Sequence, residues 1–162
     1  MTTETVAAFW ASYTARLPAG DRRRTAPFSV FAFGDSPALA QELATLVLAG
    51  RKTATASLPV QFADEGAPLP KAGDLSVVTL WDGTPVAIIE TTEIRLVAFS
   101  AVDAAFAADE GEGDRSLEWW RVAHRRYFGR LIDRLGGDPL KDTSLVVCER
   151  FRLVHGGDHA PA

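Results

Sequence analysis

The sequence holds little that would tie it to a disulfide, a metal cage or a membrane. It has a single cysteine, Cys148, which excludes an internal disulfide. Set among valines in SLVVCERF, that thiol reads as a small buried hydrophobe. Histidine is scarce, and His124, His155 and His159 have no spacing that builds a zinc site. The last two fall in or beside a Gly/Pro-rich tail, HGGDHAPA, which reads as frayed. Apolar runs are broken by Gly, Glu or Asp well short of a membrane span. The N-terminus lacks a basic start followed by an apolar core, so no signal peptide is expected. A basic excess is also missing. The formal net charge is −4, whereas a protein that coats duplex nucleic acid without selectivity is usually basic. A local basic cleft is still compatible with that total, because net charge says little about distribution. Repeats and linkers are absent too. The expectation is a cytoplasmic protein with no membrane partner, folded as one domain over 1–162, with an N-terminal helical extension at 1–27 and a core at 28–155.

What is present is ordinary for a folded domain: 162 residues, 47% apolar and 23% charged, enough to bury a normal core. Val6, Phe9, Trp10, Tyr13 and Leu17 recur at three-and-four spacing and predict an amphipathic first helix. Arg22, Arg23 and Arg24 follow in a breaker segment, as a solvated loop or an anion contact. Ser29 to Phe33 reads as a short strand. In GDSPALAQELATLVLAG, Asp35 or Ser36 can cap a helix that has Pro37 in its first turn and Gly50 as its stop. Leu39, Leu43, Leu46 and Val47 form its expected buried stripe. LSVVTLW and PVAIIETTEIRLV flank Asp82-Gly83-Thr84, a strong hairpin signal. A short helix capped by Ser100 is expected next, then an acidic loop. The last long helix carries Leu117, Trp120, His124, Tyr127, Phe128, Leu131 and Leu135 on one face, which makes His124 a satisfied core histidine before a catalytic one. SLVVCERFRLV closes as a strand. Several strands with helices around them point to an α+β fold, a small mixed β-barrel or curved sheet decorated by helices.

Two segments carry most of the chemistry. In AGRKTATAS, Arg51, Lys52, Thr53, Thr55 and Ser57 follow a helix end. Cations near a helix C-terminus are favoured by the dipole alone. A lysine there also brings a mobile positive charge for a phosphate or a developing oxyanion, and a threonine hydroxyl can donate or attack beside a base. Strand periodicity puts Lys52 and Thr55 on opposite faces unless the chain turns between them. In ADEGEGDRS, Asp109, Glu110, Glu112 and Asp114 lie close together, thinned by Gly111 and Gly113. Arg115 and Ser116 follow at a helix start that favours an anion, and Asp114 is a candidate cap. Trp119 either stacks a base beside arginines or packs under the acidic loop. Glu90 and Glu93 fall on opposite sides of a strand, and a buried Glu90 paired with Lys52 would form a second candidate site.

The stretches AGRKTATAS, PKAGD, IETTEI, EGEGDRSLEWW and VVCERFRLV, in this order, resemble an ASCH domain (activating-signal-cointegrator homology) from about Phe31 to Val154. The resemblance is to the longer bacterial form with an extra N-terminal helix. It implies a PUA-like β-barrel, an RNA-associated role and a cleft lined by Lys52. One activity it implies is amide hydrolysis of N4-acetylcytidine by a lysine, a threonine and a glutamate, which map to Lys52, Thr55 and Glu112. Ala56 stands where the small amidohydrolases have arginine, leaving Arg51 or Arg115 to substitute. The other is metal-assisted cleavage of single-stranded RNA, to which the chain length and the EGEGDRS loop are closer. The leading expectation is therefore a hydrolase of single-stranded RNA in which Lys52 stabilises charge. An amidohydrolase of a modified nucleoside and a non-catalytic RNA or nucleotide module are the alternatives. Arg51, Thr53, Ser57, Arg115, Ser116 and Trp119 are the expected ligand contacts. No resident metal is expected: the acidic loop offers oxygen ligands, but in a spacing that matches no named metal loop, and a divalent ion such as Mn²⁺ is otherwise what the ribonuclease resemblance implies.

Overall fold

The computed structural model describes residues 5–156; most of the tail expected to fray, His159 included, lies outside them. Strands β1 (Ser29–Phe31), β2 (Ala54–Ser57), β3 (Leu75–Thr79), β4 (Pro85–Ala98) and β5 (Leu145–Gly156) form a five-stranded mixed sheet in the order β1-β3-β4-β5-β2. The α-helices are α1 (Val6–Thr14), α2 (Pro37–Leu48), α3 (Pro59–Glu65), α4 (Ala104–Glu110) and α5 (Leu117–Leu135). Contacts divide the chain into two compact units. One comprises the residues up to Arg51, Gly73–Thr91 and those from Arg152 onward; the other comprises Lys52–Ala72 and Thr92–Phe151.

In the first unit, β1 runs parallel to β3 and β3 runs antiparallel to β4. The hairpin turn forms at the expected place: Gly83 takes φ +91°, which a side chain would oppose, and the Asp82 carboxylate accepts from the Thr84 N–H at 3.0 Å. Phe9 and Tyr13 of α1 pack with Val77 and Ile88 of the hairpin. Of the two capping candidates, Ser36 serves α2, accepting from the Leu39 N–H at 3.2 Å. The buried face of α2 is Ala40, Leu43, Ala44 and Val47, rotated from the expected stripe, with Leu39 and Leu46 only half-buried. His155 is not in a frayed tail; it is buried in β5, 3.3 Å from the Ser12 hydroxyl.

The second unit pairs β2 antiparallel with the first part of β5. Helix α3, absent from the sequence reading, starts at Pro59 and stops at Gly66 with φ +64°, both standard helix punctuation. Asp103, not Ser100, caps α4, accepting from the Phe106 N–H at 2.9 Å. Residues Phe99–Ala101 form a 3₁₀ turn instead. Ser116, not Asp114, caps α5, and Asp114 in turn accepts from the Ser116 N–H and hydroxyl at 2.8 and 2.6 Å. Phe99, Phe106, Trp120, Phe128, Leu131, Val146 and Cys148 fill the core of this unit.

Candidate active site

The segment ahead of β2 is fixed by its backbone. The Thr53 N–H donates to the Asp109 carbonyl at 2.8 Å, and the Thr53 carbonyl accepts from the Phe151 N–H at 3.0 Å. This pairing sets Lys52 beside the end of α4. Burial then alternates, with Lys52, Ala54 and Ala56 buried and Thr53 and Thr55 more exposed, so the lysine stem runs inward. Its ammonium is 1% exposed and donates to the Ala54 carbonyl at 2.8 Å, Glu110 Oε1 at 3.2 Å and Glu112 Oε2 at 3.1 Å. An ammonium has three protons, enough to serve each of these acceptors once.

Glu110 is the last residue of α4 and shares the buried face with Phe106 and Ala107. Its Oε2 accepts from the Trp120 indole N–H and lies 3.0 Å from His124 Nε2. On α5, the His124 ring stacks on Trp120 with centroids 4.1 Å apart. His124 Nδ1 lies 2.9 Å from the Trp120 carbonyl. That carbonyl only accepts, so Nδ1 carries a proton; Nε2 facing a carboxylate then carries a second, giving an imidazolium. Burial works against charge on the imidazole, yet Glu110 carries its pKa above the usual 6.5. Burial likewise pushes the Glu110 carboxyl upward, but Lys52, His124 and the indole N–H outweigh it and hold the group at about 2.

Glu112 reaches the same ammonium from the loop. Gly111 turns the chain with φ +74° just past α4, and the loop bonds to itself: Arg115 N–H to the Glu112 carbonyl at 2.9 Å and Arg115 Nε to the Ala108 carbonyl at 3.0 Å. Burial and the Glu110 charge raise the Glu112 pKa above 4.5, with Lys52 only partly offsetting them. Its side chain keeps 15% exposure, against 1% for Glu110. One ammonium thus holds two carboxyls of opposite character: Glu110 is sealed and held below the ordinary carboxyl range, and Glu112 is raised above it and touches solvent. Pairs with pKa values driven apart in this way suit acid–base division of labour.

Of the residues expected from sequence, Lys52 and Glu112 meet in this cluster. Thr55 is out of phase with them, half-exposed and opposite Glu149 of β5. Ser57 shares its phase, and Arg51 and Thr53 are exposed. Arg115 is exposed, Ser116 is committed to the helix cap, and Trp119, 36% exposed, packs on the acidic loop so closely that a Cβ on Gly113 would lie 2.2 Å from its ring. Glu90 is bonded to Arg22 and Arg152 rather than to Lys52. Sequence reasoning named Glu110 in the acidic loop and weighed a catalytic His124 second to a core one, but placed neither in the site. The signal for Glu110 was its phase: positions 106, 107 and 110 share one helical face. Cys148 is no nucleophile at neutral pH, since burial pushes its thiol up to about 12.

Glu110, Glu112 and His124 each place one donor atom within 4.8 Å of the others, a carboxylate–imidazole set of a kind divalent cations take. The donor chemistry nevertheless does not fit a resident dication. The Lys52 ammonium already bridges both carboxylates, and His124 Nε2 points a proton at Glu110. A metal ion would have to displace that proton beside a fixed positive charge.

The sheet order and flanking helices define an α+β domain of the PUA-like kind. The ASCH domain family model matches residues 29–155, and the chain belongs to that family. It is similar to the crystal structure of an ASCH domain from Lactobacillus crispatus JV V101, with 37% identity, a TM-score of 0.82 and coverage of 90% of this chain and 91% of that one. It is also similar to a protein from Enterococcus faecalis V583, with 30% identity, a TM-score of 0.77 and coverage of 98% and 97%. None of the curated proteins compared matches the chain. The ASCH fold implies an RNA-associated role. Among the described residues, no helix is long and apolar enough to cross a membrane.

Proposed function

We propose that the Lys52–Glu110–Glu112–His124 cluster is the acid–base centre of a hydrolase that removes an acyl group from a modified nucleoside, with N4-acetylcytidine as the model substrate. The observation that carries this reading is the pair of unlike carboxyls on one buried ammonium. Glu112, made more basic by burial and by Glu110, takes a proton from water as its oxygen adds to the amide carbonyl carbon. It then delivers that proton to the departing amine nitrogen as the C–N bond breaks, and cytidine and acetate leave. Lys52 and Glu110 act through position and charge: they keep Glu112 in place and set its proton affinity. Water fills the role of nucleophile, because Thr55 is out of phase with the cluster.

Cleavage of single-stranded RNA, the other activity that the family resemblance implies, has less support. The Lys52 ammonium already serves three acceptors within the protein, and the solvent-reaching member of the cluster is a carboxyl, which repels a phosphodiester once ionised. A single experiment separates the readings. The protein and its Glu112→Gln variant are incubated with N4-acetylcytidine and, separately, with single-stranded RNA with and without Mn²⁺, and products are resolved by chromatography. Cytidine from the wild type, with a loss of about 10²-fold or more in the variant, supports the proposal. Equal and negligible cytidine from both proteins rejects it. RNA fragments that require Glu112 would transfer the centre to phosphodiester chemistry, and RNA affinity without any product would leave a binding module.

A further inference from the structure

A second polar cluster lies wholly within the first unit and takes no part in the chemistry above. Glu90 of β4 has a side chain only 10% exposed, yet it collects guanidiniums from distant parts of the chain. Arg22 Nη2 donates to Oε2 at 2.9 Å and Arg152 Nη2 to Oε1 at 2.7 Å. Arg23 approaches Oε1 at 3.9 Å, but its charge is answered by Asp21, which accepts from its Nε and Nη2 at 2.9 and 2.6 Å. Among the described residues, Glu90 is the one carboxylate ion-paired to Arg22 and Arg152, so a single negative charge is shared by two guanidiniums. Arg22 and Arg152 are 61% and 60% exposed in their side chains. Arg22 spends one further N–H on the Gly73 carbonyl at 3.4 Å, and Gly73, at φ +94°, has no side chain to crowd it: a Cβ there would lie 3.4 Å from Arg22 Nη2. Each guanidinium has five N–H groups. Among the described residues, three on Arg22 and four on Arg152 have no protein acceptor.

We propose that Arg22 and Arg152 form a phosphate-binding fork, held in position by Glu90, that grips the backbone of single-stranded RNA or the phosphate of a nucleotide. Guanidinium is the group best matched to phosphate oxygens, offering paired N–H donors in a fixed plane. The usual cost of such a contact is immobilising a long side chain, and the shared carboxylate has already restrained both arginines. The surplus positive charge sits on a protein of net charge −4, so the fork is a local attraction that the total conceals. This assignment does not depend on the acyl-hydrolase reading, and its test involves no turnover.

The test is fluorescence anisotropy with a 5′-labelled oligouridylate, titrated with the wild type and with Arg22→Gln, Arg152→Gln and the double variant over a series of salt concentrations. The double variant is expected to bind about tenfold or more weakly, and its log K against log salt slope is expected to be shallower by about 1.4, or about 0.7 for each single variant. The single variants leave Glu90 one close partner, so they carry the test if the double variant does not fold. Glu90→Gln keeps both cations and should keep the slope while lowering affinity; an affinity equal to or above wild type overturns the positioning role. Competition by inorganic phosphate or uridine 5′-monophosphate at concentrations that match the oligonucleotide, nucleotide for nucleotide, would assign the fork to a free phosphate group; competition by the oligonucleotide alone would assign it to the RNA backbone. Unchanged affinity and unchanged slope in both arginine variants refute the fork.

Discussion

Replacing Lys52 by methionine tests the electrostatic design of the cluster. The side chain keeps most of its stem, so packing changes little, but the ammonium that bridges Glu110 and Glu112 is gone. Glu110 is held at about 2 against an ordinary 4.5. A depression of that size corresponds to about 3 kcal/mol of folding stability at neutral pH. Its sign follows from linkage: the carboxyl is held low in the folded state, so the stabilisation is complete above pH 4.5 and is lost as pH falls toward 2. In Lys52→Met the same carboxylate is buried without its main counter-charge, and breaking one side of a buried pair costs about 3–5 kcal/mol. For a chain of this size that is on the order of 10 °C in midpoint. Chemical unfolding followed by circular dichroism, at pH 7 and again near pH 4, measures both the loss and its pH dependence. The gap between the two proteins should be widest at pH 7 and should narrow in acid, where Glu110 begins to protonate. A variant within about 1 kcal/mol of wild type at pH 7, with a parallel pH profile, would refute the reasoning.

Further outcomes follow from other parts of the cluster and its supports. His124 should titrate above 6.5 by NMR; being raised in the folded state, it stabilises fully below 6.5, and this contribution fades as pH rises through the folded value. In Glu110→Gln the titration should move back down. For the acyl-hydrolase reading, the acid limb of kcat/KM should fall above pH 4.5, because the Glu112 base forms only above its raised pKa. Ser116→Ala removes the cap of α5 and should cost about 1 kcal/mol in chemical unfolding. Gly113→Ala meets both an unfavourable φ of +57° and the Trp119 ring at 2.2 Å, so it should destabilise by about 1–3 kcal/mol and alter the near-ultraviolet signal of that indole.

Much of the frame was legible because it rests on local rules. The Asp82-Gly83-Thr84 turn, the Pro37 helix and the α5 stripe each announce themselves within a few residues. Helices α3 and α4 are both seven residues long, too short for periodicity to accumulate; α4 was legible from the capping side chains ahead of it, whereas α3 follows Leu58, which offers no side-chain cap. The caps of α4 and α5 were misplaced by two or three residues, since several Asp and Ser side chains compete there and local geometry decides between them. At the candidate site, Lys52 and Glu112 stood out as residue types, but the tie between them is made by a backbone bond, Thr53 to Asp109, that no local pattern encodes. Glu110 and His124 were hidden for the opposite reason: each follows the apolar phase of its own helix, so the pattern that places a side chain inside says nothing of what it meets there.

The two compact units do not correspond to two stretches of chain. The polypeptide passes from one to the other four times, at residues 51–52, 72–73, 91–92 and 151–152, and two of those passages occur inside the single strands β4 and β5. No terminal deletion yields either unit intact, and a nick in any one connection leaves each still threaded to its neighbour. Fragments made to isolate the acidic centre should therefore be built by joining 52–72 to 92–151 through a designed bridge, not by trimming the ends.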